Sequence, residues 1–368
     1  MKQIYRGRQS RRPAALTGEP TSGPLTAEEL QLAARNHAMP LEALRRDLTP
    51  PGLHYVLTHF DIPDAEAASW HVQIKGAVER ALELSLAALK KDPAITIPVT
   101  LECAGNGRSL LTPRPVSQPW ILEAVGTAEW TGVPLAYLLA KAGVLPEAVE
   151  VVFTGADAGI QGGVPQQYAR SLPVREAMRP DIVLAYRMNG RELPPQHGYP
   201  LRLVVPGWYG MASVKWLESI DVVTAPFKGF QQQMSYRYQD TDDDAGTPVT
   251  RIRIRALMVP PGVPDFLTRK RVLRHGPVTL QGRAWSGEGA VTGVEVGIDG
   301  QWMHAQLEKP AGPFAWCRWT LPWVADPGEH LLACRATDAT GAAQPVEQNW
   351  NYLGMGNNMV QRVSVTVE

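Results

Sequence analysis

The sequence predicts an α+β protein in two domains, the second of which is an immunoglobulin-like β-sandwich. Its 368 residues are too many for one ordinary core and fit two. Strand-like and helix-like stretches alternate through the first two thirds, as in a mixed domain. Short alternating segments separated by turn residues then take over, as in a sandwich. We therefore predict a mixed domain over residues 25–245, a sandwich over 246–368 and a flexible basic tail over 1–24.

The first domain is predicted to begin with a helix over residues 26–37, because Thr26 and Glu29 form a capping-box pattern. The run at 95–101 is rich in β-formers and delivers Cys103 at its end. The other predicted elements are an extended segment at 54–60, a helix at 83–91 and strands at 70–74, 149–154, 182–186, 201–205 and 214–223.

A run with four aspartates between Asp240 and Asp244 marks the predicted edge between the domains. In the sandwich, Cys317 and Cys334 flank a predicted turn and could face each other across a hairpin. In a reducing compartment, two buried thiols are the expected outcome. The predicted strands are 278–285, 291–298, 302–307, 314–321, 330–337 and 362–367.

Charge and composition argue against several classes of function. The 36 Lys and Arg residues balance 36 Asp and Glu residues, so we expect no nucleic-acid partner. No apolar run approaches the roughly 20 residues that span a bilayer, so we expect no membrane association. The pair Arg11 and Arg12 is typical of twin-arginine export, but the run after it is too short and polar for a signal. We expect a cytoplasmic protein.

The chain has three cysteines, which excludes a disulfide scaffold, a CxxC metal pair and a CxxCH haem attachment site. Cys103 stands in the run LECAGNGR over residues 101–108. A thiolate is a soft metal ligand, and the nearby cation of Arg108 favours loss of the thiol proton. The Gly-Asn-Gly turn between them lets the backbone approach a bulky ligand. These features are compatible with a metal ligand, although a buried free thiol is strongly preferred for an isolated cysteine on the residues alone.

Two other interpretations of Cys103 stay open on the residues alone. It could be a buried free cysteine at the end of a strand, which is the common case for an isolated cysteine. It could also be a nucleophile paired with a histidine base, for which His59 and His197 are candidates.

The run LECAGNGR resembles the CAGN-x-R motif of the sulfite-oxidase family of molybdopterin-dependent oxidoreductases. Four more stretches are similar to that family, in the family's order: HYVLTHFDIP at 54–63, residues 185–220 with HGYPLR and SVKW, GRAWSGEG at 282–289 and NWNYLGMGNNMVQRVSVTV at 349–367. The resemblance implies a haem-free, bacterial-type member. Its fold would be a sulfite-oxidase-type α+β molybdopterin-binding catalytic domain followed by a sandwich dimerisation domain, which implies a homodimer.

The resemblance also implies which residues hold the molybdenum–molybdopterin cofactor. Cys103 matches the protein ligand of molybdenum and Arg108 matches a substrate-binding arginine, so these two are the predicted catalytic residues. Guanidinium and ammonium groups suit a phosphate-bearing cofactor. The implied cofactor-binding residues are Tyr55, Val56, Thr58, His59, Asp157, His197, Arg202, Ser213, Val214 and Lys215.

The substrate pocket departs from the sulfite-oxidising members at three positions. Leu57 and Ala290 stand where those enzymes carry arginines, and Phe227 stands where they carry a tyrosine. A sulfite dianion in a partly desolvated pocket needs paired charge, and a phenyl ring offers no hydroxyl. We therefore expect a less cationic, more apolar pocket in which sulfite oxidation is inefficient. The arginines that could compensate are Arg170, Arg175 and Arg187.

The resemblance implies oxygen-atom transfer on a small oxyanion or sulfur substrate. The candidates are sulfite, a sulfane or other sulfur compound, and a sulfoxide-type oxide that would be reduced. No haem segment is recognised in this chain, so a separate electron-transfer partner such as a cytochrome c is implied. The alternative from another class, motivated by the lost pocket residues, is a catalytically silent molybdopterin-binding or assembly protein.

Overall fold

Two five-stranded sheets, one two-stranded sheet and four short α-helices build the first domain in a computed structural model of the chain, which describes residues 18–368. Residues 1–17, including the Arg11 and Arg12 pair, lie outside the described residues. The elements are β1 (Gly18–Thr21), α1 (Ala27–Arg35), β2 (His71–Gly76), β3 (Leu82–Ser85), α2 (Leu86–Leu89), β4 (Ile95–Glu102), β5 (Arg114–Val116), β6 (Val125–Pro134), α3 (Leu135–Ala142), β7 (Glu150–Gln161), β8 (Val164–Pro173), α4 (Val174–Ala177), β9 (Val183–Met188), β10 (Arg191–Glu192), β11 (Arg202–Val204) and β12 (Leu217–Val223).

The sheet that carries Cys103 has the strand order β10-β9-β6-β4, with β11 also paired to β9, and all its pairs are antiparallel. The second sheet has the order β3-β2-β12-β7-β8, in which β2 and β12 are parallel. A large apolar core packs around this second sheet and α3, with Phe153, Leu139 and Ile220 fully buried. The first domain is therefore a mixed α+β structure, as predicted.

Helix α1 confirms its predicted start, because the Thr26 hydroxyl and the Glu29 carboxylate form both hydrogen bonds of the capping box. The helix predicted at 83–91 is wrong over residues 83–85, which belong to β3 and pair with β2, and only Leu86–Leu89 are helical. The Ser85 hydroxyl caps α2 and so sets its start there. The tail prediction also fails at its end, because β1 pairs with β5 and holds residues 18–21 on the domain.

The sandwich follows two short paired strands, β13 (Arg237–Tyr238) and β14 (Thr247–Pro248). Its strands are β15 (Arg255–Met258), β16 (Val263–Pro264), β17 (Arg271–Leu273), β18 (Gly276–Trp285), β19 (Val291–Ile298), β20 (Gln301–His304), β21 (Gln306–Leu307), β22 (Cys317–Ala325), β23 (Gly328–Asp338) and β24 (Gln361–Val367). They form two sheets with the orders β15-β18-β22-β21 and β16-β17-β24-β23-β19-β20.

Cys317 and Cys334 are both free and buried in the sandwich core, which confirms the prediction of two buried thiols. They do not face each other across a hairpin, because β22 and β23 belong to different sheets. The domains share a further apolar cluster that joins Tyr209 of the first domain to Trp285 and Trp316 of the second. Within residues 18–368, no helix has the length and apolarity needed to cross a bilayer.

Candidate active site

Cys103 lies directly after β4, at the start of a tight loop that ends at Arg108. The Cys103 amide donates to Ala124 O (2.9 Å), and the Asn106 amide donates to Cys103 O (3.0 Å). Gly107 has a φ of +89°, a left-handed conformation that favours glycine. This conformation turns the chain so that the Cys103 thiol and the Arg108 guanidinium line one cavity.

Two cavities meet at Cys103, which lines both of them. The first brings together the separate parts of the sequence predicted to hold the cofactor. Eight of the ten predicted cofactor-binding residues line it: Tyr55, Val56, His59, Asp157, His197, Arg202, Ser213 and Lys215. Thr58 lines the second cavity instead, and Val214 packs its side chain into the core of the first domain.

The sequence prediction missed several residues of the first cavity. Of these, His54 and Gln196 directly adjoin predicted positions, so widening each motif by one residue would have found them. Tyr168 and Tyr236 carry no local pattern that marks them. Pairing of β8 with β7 positions Tyr168, and long-range packing positions Tyr236.

The first cavity holds two cations whose hydrogen bonds go to backbone carbonyls. Arg202 donates to His197 O (2.9 Å) and Ser213 O (3.1 Å). Lys215 donates to Leu57 O (2.8 Å) and Gln196 O (3.1 Å). Within residues 18–368, no carboxylate comes within ion-pair distance of either cation. The two cations of the cavity are therefore held by backbone carbonyls, and Asp157, the carboxylate in the same wall, forms no ion pair with either of them.

The pKa values of the ionisable side chains in this cavity are shifted by the nearby cations and by burial. Burial, with help from Arg202, lowers the Lys215 pKa to about 7. Burial also lowers the pKa of Arg202 to about 10 and that of His54 to about 4. Burial raises the Asp157 pKa to about 6, against the pull of Lys215. A bound anion would favour the cationic forms of Lys215 and Arg202, so the cavity is suited to an anionic group.

These residues fit a phosphate-bearing metal cofactor. His54 is a buried part of the same wall, and its Nε2 packs against Gly126 of β6. Arg202 and Lys215 supply charge for a phosphate. Cys103 supplies a soft ligand at the junction with the second cavity. One end of the first cavity therefore suits an anion, and the other suits a metal.

The second cavity has a volume of about 250 Å³ and a largely apolar wall that includes Leu57, Trp120 and Met355. Arg108 is the one arginine that lines it among the described residues. Its guanidinium donates to Leu353 O (3.1 Å) and Gln118 O (3.2 Å), and lies 3.4 Å from the Met355 sulfur. One cation therefore faces a mainly apolar space.

The three arginines that could compensate do not line the cavity beside Cys103. Arg175 and Arg187 are exposed. Arg170 is buried behind Tyr236, with its guanidinium carbon 5.4 Å from the centre of that ring. It also donates to Gln231 O. The cavity beside Cys103 is accordingly less cationic than a site with three arginines.

The expected loss of a tyrosine hydroxyl from the pocket is wrong. Tyr236 lines both cavities, and its hydroxyl lies 2.7 Å from Nε2 of His59. Nδ1 of His59 lies 3.3 Å from Gln161 Oε1. Burial lowers the His59 pKa to about 4, so the ring is neutral near pH 7. With Gln161 accepting from Nδ1, Nε2 accepts a hydrogen bond from Tyr236.

The nucleophile interpretation of Cys103 finds no support in this arrangement. Burial raises the pKa of the Cys103 thiol, although Arg108 opposes the shift. A cysteine nucleophile needs a lowered pKa or a base within hydrogen-bond reach. His59 is engaged by Gln161 and Tyr236, and His197 lies 3.1 Å from Pro51 O through Nε2. A metal ligand remains the interpretation that uses both cavities.

Comparison with known proteins identifies two family domains. Residues 59–231 match the oxidoreductase molybdopterin binding domain, and residues 248–368 match the Mo-co oxidoreductase dimerisation domain. The chain resembles the sulfane dehydrogenase SoxCD of Paracoccus pantotrophus with a TM-score of 0.78 and 30% sequence identity. That match covers 90% of this chain and 86% of the other.

Two curated relatives are NADH nitrate reductases. The chain is 34% identical to that of Solanum lycopersicum over 351 residues, which is 87% of this chain and 38% of the relative. It is 34% identical to that of Cichorium intybus over 365 residues, which is 90% of this chain and 40% of the relative. The chain thus spans about two fifths of the length of these relatives. From its two domains and its structural match, the chain belongs to the sulfite-oxidase family of molybdopterin-dependent oxidoreductases.

Proposed function

We propose that the chain catalyses oxygen-atom transfer on a small sulfur compound, with Cys103 as the protein ligand of molybdenum. The observation that carries the proposal is the position of Cys103, at the junction of a cationic cavity and a mainly apolar one. When bound, the molybdopterin cofactor supplies the two-electron redox chemistry of oxygen-atom transfer. The second cavity would hold the substrate next to the metal.

The residues of the first cavity would bind and orient the cofactor. Arg202 and Lys215 would pair with its phosphate, because both are buried cations without a carboxylate partner among the described residues. Ser213, His197 and Asp157 would offer polar contacts to the rest of the group. Tyr55, Val56 and His59 complete the wall beside Cys103, and Thr58 would act from the substrate side.

The second cavity favours a substrate with little negative charge. Arg108 supplies one cation, while Leu57 and Trp120 contribute apolar surface. A sulfite dianion would be left short of paired charge in such a space. A sulfane compound is supported by the resemblance to a sulfane dehydrogenase, and a neutral sulfoxide by the apolar wall. We place both ahead of sulfite as substrates.

Two partners complete the proposal. The match of residues 248–368 to a dimerisation domain supports a homodimer formed through the sandwich. A separate redox protein, such as a cytochrome c, would carry electrons to or from the metal one at a time.

The decisive experiment measures molybdenum per chain in protein expressed by a host that makes the cofactor. Turnover is then followed with a dye or cytochrome c against sulfite, a sulfane compound and a sulfoxide. Cys103→Ser is expected to abolish turnover and alter the metal coordination, while Cys317→Ser, a buried thiol of the sandwich, retains both. Full turnover in Cys103→Ser would refute the proposal. Bound molybdenum that no dye can oxidise or reduce would instead favour a catalytically silent protein.

A further inference from the structure

We infer that the buried ion pair between Glu102 and Arg255 positions the metal-ligand loop, residues 103–108, and so lets the second domain set the place of Cys103. The inference rests on the proposed role of Cys103 as the metal ligand. Glu102 is the last residue of β4 and directly precedes Cys103, whereas Arg255 is the first residue of β15. Their contact joins the two domains beside the site.

Side chains of both domains contact the Glu102 carboxylate. Arg255 Nε lies 2.8 Å from Glu102 Oε1, and Asn106 Nδ2 donates to the same oxygen at 3.0 Å. Trp285 Nε1, from β18, donates to Oε2 at 2.8 Å. A change in the position of the second domain would therefore act on the carboxylate next to Cys103 and on Asn106 within the loop.

Arg255 also reaches the loop from its other side. Its Nη2 donates to Asn106 O at 3.3 Å and to Asn357 O. The Asn357 side chain in turn donates to Gly107 O at 2.8 Å. Asn106 is thus held at its side chain by Glu102 and at its carbonyl by Arg255, and Gly107 is held by a residue of the second domain.

Two more contacts extend this hold to both ends of the loop. The Gly356 amide donates to Ala104 O at 2.6 Å, next to Cys103. Arg108 donates through Nε to Leu353 O at 3.1 Å. The segment 351–358 of the second domain therefore lies along the metal-ligand loop, and Arg255 connects that segment to Glu102.

The energetics argue against a purely stabilising role for the pair. The side chains of Glu102 and Arg255 are 0% and 1% exposed, so both charges have lost their water. Nη1 of Arg255 has no hydrogen-bond partner within the described residues, and Nε meets Glu102 without hydrogen-bond geometry. Replacing such a pair by apolar side chains of similar size is often neutral or stabilising. Because desolvation of the two charges opposes folding, we attribute the pair beside the metal-ligand loop to the fixed position that it gives the loop residues.

The test compares two double variants of the cofactor-loaded, full-length protein. Glu102→Leu with Arg255→Met removes the pair. Glu295→Leu with Arg335→Met removes a partly buried ion pair that joins β19 and β23 of the sandwich, with 2.7 Å between Arg335 Nε and Glu295 Oε2. The measurements are the melting temperature, molybdenum per chain, the molybdenum–sulfur distances from X-ray absorption, and kcat and KM separately.

The first double variant is expected to fold with a lower melting temperature than the native protein, because Glu102→Leu leaves the buried Trp285 Nε1 without its acceptor. Its metal–sulfur signature should broaden or shift, and kcat should fall by about 100-fold with KM little changed, as for a misplaced reacting group. The sandwich variant should keep the native metal signature. A native signature and native kcat in the folded first variant would overturn the inference.

A single variant tests the inference when the double variant does not fold. Glu102→Gln keeps the shape of the side chain and removes its charge, and it is expected to alter the metal–sulfur signature in the same direction. A native signature in that variant also overturns the inference. Cys103→Ser separates this outcome from failure of the proposed function, because an unchanged metal signature there would remove Cys103 as the ligand.

Discussion

The hydroxyl of Tyr236 lies 2.7 Å from Nε2 of His59, where the two cavities meet beside Cys103. The two residues are 177 positions apart in the chain. Their contact places a neutral imidazole and a phenol next to the proposed metal ligand. Because burial raises the Tyr236 pKa above its ordinary value, the phenol keeps its proton near neutral pH and can donate it in a hydrogen bond.

Tyr236→Phe is expected to lower kcat by about 100-fold, because it removes the hydroxyl proton beside Cys103 and leaves Nε2 of His59 without its hydrogen bond. KM should change little, since the ring remains. Tyr137→Phe is the matched control, because Tyr137 is exposed and its hydroxyl bonds only to half-buried Asp92 at 3.2 Å among the described residues. Steady-state kinetics with the best substrate decides the point, and equal kcat in native and Tyr236→Phe protein would contradict it.

Arg108→Met should raise KM for an oxyanion substrate by about 10- to 100-fold, the usual value of a charge-assisted hydrogen bond. KM for a neutral sulfoxide should stay within a few-fold of the native value. Because Arg108 also donates to Leu353 O, the melting temperature must be followed in parallel. Arg108→Lys keeps the charge and should recover part of the oxyanion affinity. An equal loss for both substrates would show that Arg108 has no charge-specific role.

Arg202→Met and Lys215→Met are expected to reduce the molybdopterin content of purified protein, because each removes a buried cation from the first cavity. Arg187→Met is the control, since Arg187 is exposed. The content is measured by metal analysis and by fluorescence of the oxidised pterin. Native content in both cavity variants would argue that the cofactor's charge is held elsewhere.

An anion should stabilise the cofactor-free protein more at low pH than at high pH. In the folded protein the Lys215 pKa is lowered to about 7 from 10.5, so between these values the unfolded chain binds more protons and stability rises with pH. Below about pH 7 Lys215 is charged and can pair with an anion. Asp157, with its pKa raised to about 6, becomes a repelling carboxylate above that value and acts in the same direction.

Sulfate is the suitable probe, because its charge is constant over this range. Its effect on the melting temperature should be larger at about pH 6 than at about pH 8.5, relative to chloride at equal ionic strength. Lys215→Met should lose most of that difference. A sulfate effect that is independent of pH in the native protein would mean that the anion binds away from Lys215.

The sequence by itself determined those parts of the protein that depend on neighbouring residues. The capping box at Thr26 and Glu29, the strand that ends beside Cys103 and the alternating strands of the sandwich follow from local periodicity and hydrogen bonding. The cofactor segments could be recognised because each is a contiguous run of residues. The presence of Leu57 in place of an arginine could also be recognised from the sequence, since Leu57 lies within such a run.

Only the tertiary structure decided which distant side chains reach the site. It brought Tyr236 to His59, left Arg170 behind Tyr236, and placed Arg255 of the second domain against Glu102. These contacts depend on the packing of sheets and loops far apart in the chain, and no local pattern records that packing. The order of residues along the chain determines which chemical groups a segment carries. Burial and long-range packing determine which of those groups line the same cavity.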